Sequence, residues 1–303
     1  MIPLIIVAGP TASGKTALSI ELAKRLGGEI VSADSMQIYK YMDIGTAKPT
    51  KAEMQGIPHH MIDFLEPSVN FSAADYCSLA SKSISDIFNR GKIPILVGGT
   101  GLYIDSLVNG VDFGEFASNP EIRSELEELA KNKGADAVHA LLSEIDPETA
   151  EKYHPNNLRR VIRAIEFYRM TGQTISSHAK EEKKSPYNYI YFCIDWDREA
   201  LYERINRRVD IMIEQGLADE VSSLLKAGFD RNCTAMQGIG YKEFFAYFDG
   251  LKTLEDTIEE IKMNSRRYAK RQLTWFRRNK NIDWLSASNH IADDAVEIIK
   301  NTI

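Results

Sequence analysis

An apolar run, Leu4-Ile5-Ile6-Val7, leads into Gly9-Pro10-Thr11-Ala12-Ser13-Gly14-Lys15-Thr16, which satisfies the G-x-x-x-x-G-K-[ST] phosphate-loop pattern in full. The pattern constrains the fold because it needs one setting. A buried strand must deliver the loop and a helix must leave it, so that backbone N–H groups turn inward around an anion. Lys15 then supplies a point charge to terminal phosphates, and Thr16 offers a hydroxyl to Mg²⁺ at the helix N-terminus. The whole loop from Gly9 to Thr16 is therefore a candidate diphosphate or triphosphate site, with Thr16 as the metal contact.

The loop does not say which phosphorylated compound it holds. A kinase or NTPase normally ends a second apolar strand with an acidic residue that helps hold Mg²⁺. Here the matching run, Ile93-Pro94-Ile95-Leu96-Val97, ends in Gly98-Gly99-Thr100-Gly101, with no carboxylate. That omission points to a phosphate that departs from something other than a nucleoside triphosphate.

At 303 residues and 44% hydrophobic composition, the chain can bury a sizeable core. It shows no N-terminal signal pattern and no apolar stretch of membrane-spanning length, so a cytoplasmic location is expected. Cys77, Cys193 and Cys233 form no C-x-x-C pair, and His59-His60 lacks a third ligand at useful spacing, so neither a disulfide framework nor a zinc site is expected. The formal charge of −6 argues against a generic nucleic-acid binder. Its distribution argues the other way. Lys262, Arg266, Arg267, Lys270, Arg271, Arg277, Arg278 and Lys280 follow one another with no acidic residue among them. One face of an acidic protein can be basic.

Along the chain, a helix is expected over 17–26 and a strand over 29–32, which leaves Asp34 just past the strand's carboxyl end. In an open parallel sheet ligands gather there, so Asp34 and the phosphate loop should share a crevice. Ser72-Ala73-Ala74-Asp75 reads as a capping box opening a helix to about Asn89, before the strand at 93–97 and a helix from Gly101. Alternating strands and helices imply an α/β fold, a P-loop NTPase-like parallel sheet flanked by helices. From 118 to 185 the pattern turns all-helical, with segments at 120–132, 135–144 and 156–170. Strand character returns at 189–194 and near 282–285. The expected division is a catalytic core over 1–117 and 186–303, interrupted by a helical insertion domain.

Several segments together resemble a known family: Gly9 to Thr16, Asp34-Ser35-Met36-Gln37-Ile38-Tyr39, Asp43-Ile44-Gly45-Thr46-Ala47-Lys48-Pro49, Gly98-Gly99-Thr100-Gly101-Leu102-Tyr103, His154-Pro155-Asn156-Asn157-Leu158-Arg159-Arg160, Gln237-Gly238-Ile239-Gly240-Tyr241-Lys242 and Lys270-Arg271-Gln272-Leu273-Thr274-Trp275. The chain is similar to bacterial tRNA dimethylallyltransferases, also called tRNA isopentenyltransferases, over nearly its full length. The resemblance implies transfer of a dimethylallyl group from its diphosphate to the exocyclic amine of the adenine 3′-adjacent to the anticodon; a monomer is expected. The partners implied are dimethylallyl diphosphate and the tRNA anticodon stem-loop; no zinc-finger segment of the kind seen in eukaryotic relatives is present.

The residues suit that reaction. An aromatic amine is a poor nucleophile, so a carboxylate should take its proton, and Asp34 is the candidate base. The departing diphosphate needs Lys15, loop N–H groups, Mg²⁺ at Thr16, and an arginine from elsewhere. The resemblance assigns that arginine to Arg207, with neighbouring Arg208 as the alternative, and places Thr100 at the target adenine or at the tRNA near it. It assigns tRNA contact to Asp34, Ser35, Met36, Gln37, Thr100, Arg123, Leu158, Arg159, Arg160, Val161, Ile162, Gln237, Gly238, Ile239, Gly240, Tyr241 and Lys242. The helical insertion is expected to clamp the tRNA, and the basic C-terminal helix to contact its backbone. A small-molecule or nucleotide kinase, with Asp34 activating a hydroxyl, is the alternative. A non-enzymatic nucleotide-dependent RNA switch is a third reading.

Overall fold

The computed structural model describes residues 1–110, 119–178 and 184–302. Six strands form one parallel sheet: β1 (Ile2–Ala8), β2 (Gly28–Ser32), β3 (His59–His60), β4 (Ile93–Gly98), β5 (Tyr187–Asp195) and β6 (Asp283–Ser286), in the order β3-β2-β4-β1-β5-β6. The phosphate-loop strand is central, with Val7 opposite Val97 on one side and Phe192 on the other.

The near-continuous apolar strands are explained by burial on both faces. Successive side chains alternate, so Leu4, Ile6 and Ala8 join Leu96 and Tyr191 in a core closed by the helices Ala73–Asn89 and Gly101–Val108. Ile5 and Val7 join Ile95 and Phe192 in a second core, beneath the helices Lys15–Leu26 and Ile291–Thr302. A third core gathers Ile38, Tyr39, Met42, Val209, Val221, Tyr241, Phe244 and Ile261. It fastens the irregular segment after β2 to the helices Arg198–Glu214, Leu217–Lys226 and Leu254–Phe276.

Local expectations meet the structure closely. The capping box is present, with Ser72 Oγ accepting from Asp75 N–H and the Asp75 carboxylate accepting from Ser72 N–H. The first helix starts at Lys15 rather than at 17, because Gly14 at φ 92 makes the left-handed turn that a side chain would oppose. The two-residue strand β3 was not expected; two residues are too short for any periodic signal.

The chain divides into two compact units, residues 1–109 with 185–303, and residues 110–184. The second contains the helices Pro120–Lys133, Ala135–Ile145, Pro147–Lys152, Leu158–Thr171 and Ile175–His178, with no strand among its described residues. Leu126, Val138, Leu142, Val161 and Ile165 form its core. The expected boundary at 117/118 lies outside the described residues.

Candidate active site

The phosphate loop is held in shape by the protein alone. Thr11 N–H donates to Gln272 Oε1 at 2.9 Å, and Gln272 Nε2 donates to Gly99 O at 2.9 Å. On the other flank Arg204 Nε donates to Ala12 O at 2.9 Å and Trp196 Nε1 to Ser13 O at 2.9 Å, with the guanidinium stacked 4.4 Å from the indole ring. These bonds fix Ala12 in a left-handed conformation, φ 62, that an alanine seldom adopts. The helix beginning at Lys15 has no side-chain cap, so its first N–H groups are open to an anion. Ser13 Oγ is buried with no hydrogen-bond partner, a further group ready for a phosphate oxygen.

Beside the loop lies a cavity of about 380 Å³. Thr11, Lys15, Thr16, Asp34 and Arg208 line it together, so the structure brings the candidate base and the phosphate loop into one space. Desolvation lowers the Lys15 ammonium to about 8; Asp34 opposes that shift and Arg208 adds to it. Lys15 Nζ donates to Pro10 O at 2.7 Å. Desolvation likewise lowers the Arg208 guanidinium, against the pull of Asp34. Four cations, Lys15, Arg208, Lys242 and Arg271, and one carboxylate, Asp34, line this confined volume, an arrangement suited to a ligand with more than one negative charge.

Asp34 divides its work between its two oxygens. Oδ1 accepts from Met36 N–H at 2.9 Å and Gln37 N–H at 3.3 Å, fixing the turn after β2. Oδ2 makes no hydrogen bond among the described residues. The turn therefore aims a carboxylate whose second oxygen can accept a proton.

The structure sets the two adjacent arginines apart. Arg208 lines the cavity, whereas Arg207 is exposed and does not. Helical periodicity explains this: Arg204, Ile205, Arg208, Val209 and Met212 share one face, and Arg207 is rotated away by about 100°. Thr100 stands at the N-terminus of the helix Gly101–Val108. It is not a lining residue; its Oγ1 accepts from Ser35 N–H at 3.1 Å, so it orients the segment that carries Asp34.

Two segments that the resemblance assigns to tRNA contact also line the cavity. Ser35, Met36 and Gln37 line the cavity together with Gln237, Gly238, Ile239, Gly240 and Lys242 and with Gly45, Thr46 and Ala47. Tyr241 is an exception within its motif. It is buried, and its hydroxyl donates to Glu220 Oε1 at 2.7 Å. Glu220 also accepts from the N–H groups of Asp43, Ile44 and Gly45, so this pair shapes the 43–47 turn.

In the helical unit, Val161 and Ile162 are core residues, so their side chains cannot reach a ligand. Leu158 packs against the same core, while Arg159 and Arg160 on the next turns of surface are exposed. Arg123 grips the fully buried Glu166 with two bonds, 2.9 and 3.1 Å, and Arg163 joins them at 2.7 Å.

On the helix Leu254–Phe276 the basic stripe is broken. Lys262 pairs with Asp210 at 2.8 Å, and Arg266 donates to Asn206 Oδ1 at 2.5 Å, both turned to the neighbouring helix. Arg267, Lys270, Arg271, Arg277 and Arg278 stay exposed. Trp275 packs inward and donates to Asp105 Oδ2 at 2.7 Å. Gln272, Glu220, Arg204 and Trp196 all shape the site yet were not singled out from sequence. Gln272 stood inside a quoted motif; the other three sit in ordinary helical or strand-end contexts that carry no local signal. His60 bonds Glu29 at 2.8 Å, and no metal-binding cluster occurs among the described residues.

Residues 37–279 match the family model described as IPP transferase. The chain is 51% identical over 300 residues to the tRNA dimethylallyltransferase of Acetivibrio thermocellus, covering 98% of this chain and 95% of the relative. It is 54% identical over 283 residues to that of Bacillus subtilis, covering 93% and 90%. Among solved structures, the tRNA isopentenylpyrophosphate transferase of Bacillus halodurans superposes with a TM-score of 0.74 at 48% identity, over 99% of this chain and 95% of that one. A eukaryotic dimethylallyltransferase acting on tRNA gives 0.88 at 32% identity, over 100% and 81%. None of these relatives is a kinase. No helix among the described residues is long and apolar enough to cross a membrane.

Proposed function

This chain belongs to the IPP transferase family, and on that premise we propose how its cavity performs prenyl transfer. The chain is a tRNA dimethylallyltransferase; it transfers a dimethylallyl group to tRNA. The donor is dimethylallyl diphosphate, whose diphosphate rests on the open N–H groups of the phosphate loop, between Lys15 and Arg208. The acceptor is the exocyclic amine of the adenine next to the anticodon, drawn out of the loop stack into the cavity.

The observation that carries this reading is that Asp34, Lys15 and Arg208 line one cavity while β4 ends without a carboxylate. Asp34 Oδ2 takes the amine proton as the new carbon–nitrogen bond forms. Lys15, Arg208 and the loop N–H groups stabilise the charge that grows on the departing diphosphate. Apolar neighbours on the cavity wall, Val97, Ile205, Val209 and Met212, suit a five-carbon chain and keep water from competing as acceptor.

Mg²⁺ fits this site. Thr16 offers a hydroxyl on the cavity wall, and the remaining oxygens would come from the diphosphate and from water, as is usual for this ion. When bound, it would offset charge on the leaving group. In the helical unit, exposed Arg159 and Arg160 support a role in gripping the anticodon stem, and exposed Arg267, Lys270 and Arg271 support contact with its backbone.

The test is incubation with labelled dimethylallyl diphosphate, Mg²⁺ and an anticodon stem-loop carrying consecutive adenines. Wild type should label the RNA without hydrolysing ATP. Asp34→Asn should lower kcat by roughly 10²- to 10⁴-fold while stem-loop affinity holds. Wild-type rates in Asp34→Asn would remove Asp34 from the chemistry, and RNA-stimulated ATP hydrolysis would favour the switch.

A further inference from the structure

Tyr41 stands out as an aromatic side chain that the fold does not use. It is 57% exposed, and no hydrogen bond or ring contact engages it among the described residues. Its backbone is left-handed, φ 64, a conformation that is a genuine outlier for a bulky residue and that glycine adopts freely. Strain of this kind persists only where surrounding structure enforces it, and it gathers at sites of function.

The surroundings do enforce it. Tyr39 and Met42 on either side are buried, at 1% and 0% exposure. Lys40 N–H donates to Leu65 O at 2.8 Å, Thr46 Oγ1 to Met42 O at 2.6 Å, and Gln37 Nε2 to the carbonyls of Thr46 and Ala47 at 3.2 and 3.1 Å. Lys48 ties Tyr39 O, Asp43 and Asp63 together, and Glu220 holds the amides of residues 43–45. Tyr41 therefore projects from a rigid loop, between the two segments that line the cavity, 34–37 and 45–47.

The adjacent cations are engaged: Lys40 pairs with Glu66 at 2.9 Å, and Lys48 with Asp43 and Asp63. What the loop offers outward is a ring face rather than a charge for phosphates. Unpaired RNA bases are recognised by stacking on such faces, and a fixed platform binds with little loss of conformational freedom.

We propose that Tyr41 is a stacking platform for an unpaired base of the RNA substrate, beside the base that enters the cavity. The inference rests on the tRNA reading above and adds a contact outside the cavity. Stacking of one base changes affinity by roughly 5- to 100-fold, so Tyr41→Gly should raise both Kd for an anticodon stem-loop and KM for tRNA by that order. KM for dimethylallyl diphosphate should hold. The melting temperature should hold or rise, since glycine relieves the left-handed strain. Tyr41→Asn, which tolerates that backbone but has no ring, should match Tyr41→Gly, and Tyr41→Trp should restore RNA affinity.

Stem-loop affinity of Tyr41→Gly within about twofold of wild type would overturn the proposal. So would a clear fall in its melting temperature, which would make the ring structural. The two readings fail separately. A wild type that binds the stem-loop without prenylating it would defeat the proposed reaction, while weaker binding by Tyr41→Gly would still support the stacking contact.

Discussion

Gln272 accepts the backbone N–H of Thr11 at 2.9 Å, a bond between residues 261 positions apart that joins the phosphate loop to the long C-terminal helix. Through its amide nitrogen the same side chain holds Gly99 O, so one buried amide sets the spacing between the loop and the turn after β4. A β-carbon on Gly99 would fall 2.2 Å from Gln272 Nε2, which is why that position carries none.

Gln272→Leu keeps much of the volume but leaves Thr11 N–H and Gly99 O without partners. It should cost about 1–3 kcal/mol in chemical denaturation, because buried polar groups would lose their bonds. The loop would also lose its register, so affinity for dimethylallyl diphosphate should fall roughly tenfold or more, measured by calorimetry. Gly99→Ala should show the same pair of effects, since its side chain must displace the amide. Undiminished donor affinity in both variants would detach Gln272 from the site.

The two adjacent arginines should separate cleanly. Arg208→Ala removes a cation from the cavity and should lower kcat/KM for the donor by roughly 10²- to 10³-fold. Arg207→Ala removes an exposed charge and should change it by less than about threefold. Equal effects in steady-state kinetics would mean that the helix face has been read wrongly.

Lys15 is held in the cavity against its own desolvation, which lowers it from 10.5 to about 8. Its depressed value means that the folded state disfavours the charged amine. The resulting instability is fully present below about pH 8 and is relieved as pH rises towards 10.5. Lys15→Met should therefore abolish prenyl transfer yet raise stability at neutral pH by about 1–3 kcal/mol, read from denaturant midpoints. In wild type, kcat/KM for the donor should fall as pH rises through about 8, as the free enzyme loses this charge. A flat profile there, or a destabilised Lys15→Met, would count against this account.

The Glu29 carboxylate is buried at the base of β2, and Arg90 holds it down to about 2, with two bonds of 2.5 and 2.8 Å; His60 contributes a third. A carboxylate lowered in the folded state adds stability that is present above pH 4.5 and is lost as pH falls towards 2. Arg90→Met should lower stability at neutral pH, because it leaves the Glu29 carboxylate without its main partner. The difference from wild type should shrink steadily between pH 4.5 and 2 in urea titrations. A gap that persists at low pH would assign the loss to packing instead.

Much of the fold was legible because its signals are local. A buried strand, a left-handed glycine and a capping box each act within a few residues, and the helices at 73–89, 120–133 and 135–145 begin and end close to where those signals fall. The strand β3 escaped because its two residues pair only through neighbours supplied by the sheet. Within the site, Asp34 was legible from its place after β2, since strand ends in parallel sheets face the crevice.

Motif membership, by contrast, did not separate residues that line the cavity from residues that support it. Tyr241 sits among lining neighbours yet turns into the core to meet Glu220, Thr100 orients Ser35, and Val161 and Ile162 are packed inside the helical unit.

The sequence by itself determined the phosphate loop, the order of strands and helices along the chain, and the carboxylate at the end of β2, because each depends on backbone geometry over a short span. Only the tertiary structure decided that Arg208 and not Arg207 enters the cavity, that Gln272 and Arg204 lock the loop from opposite flanks, and that Lys262 and Arg266 are used up between helices. Those outcomes depend on how one helix is rotated against another, and that angle is set by the packing of side chains far apart in the chain rather than by any local signal.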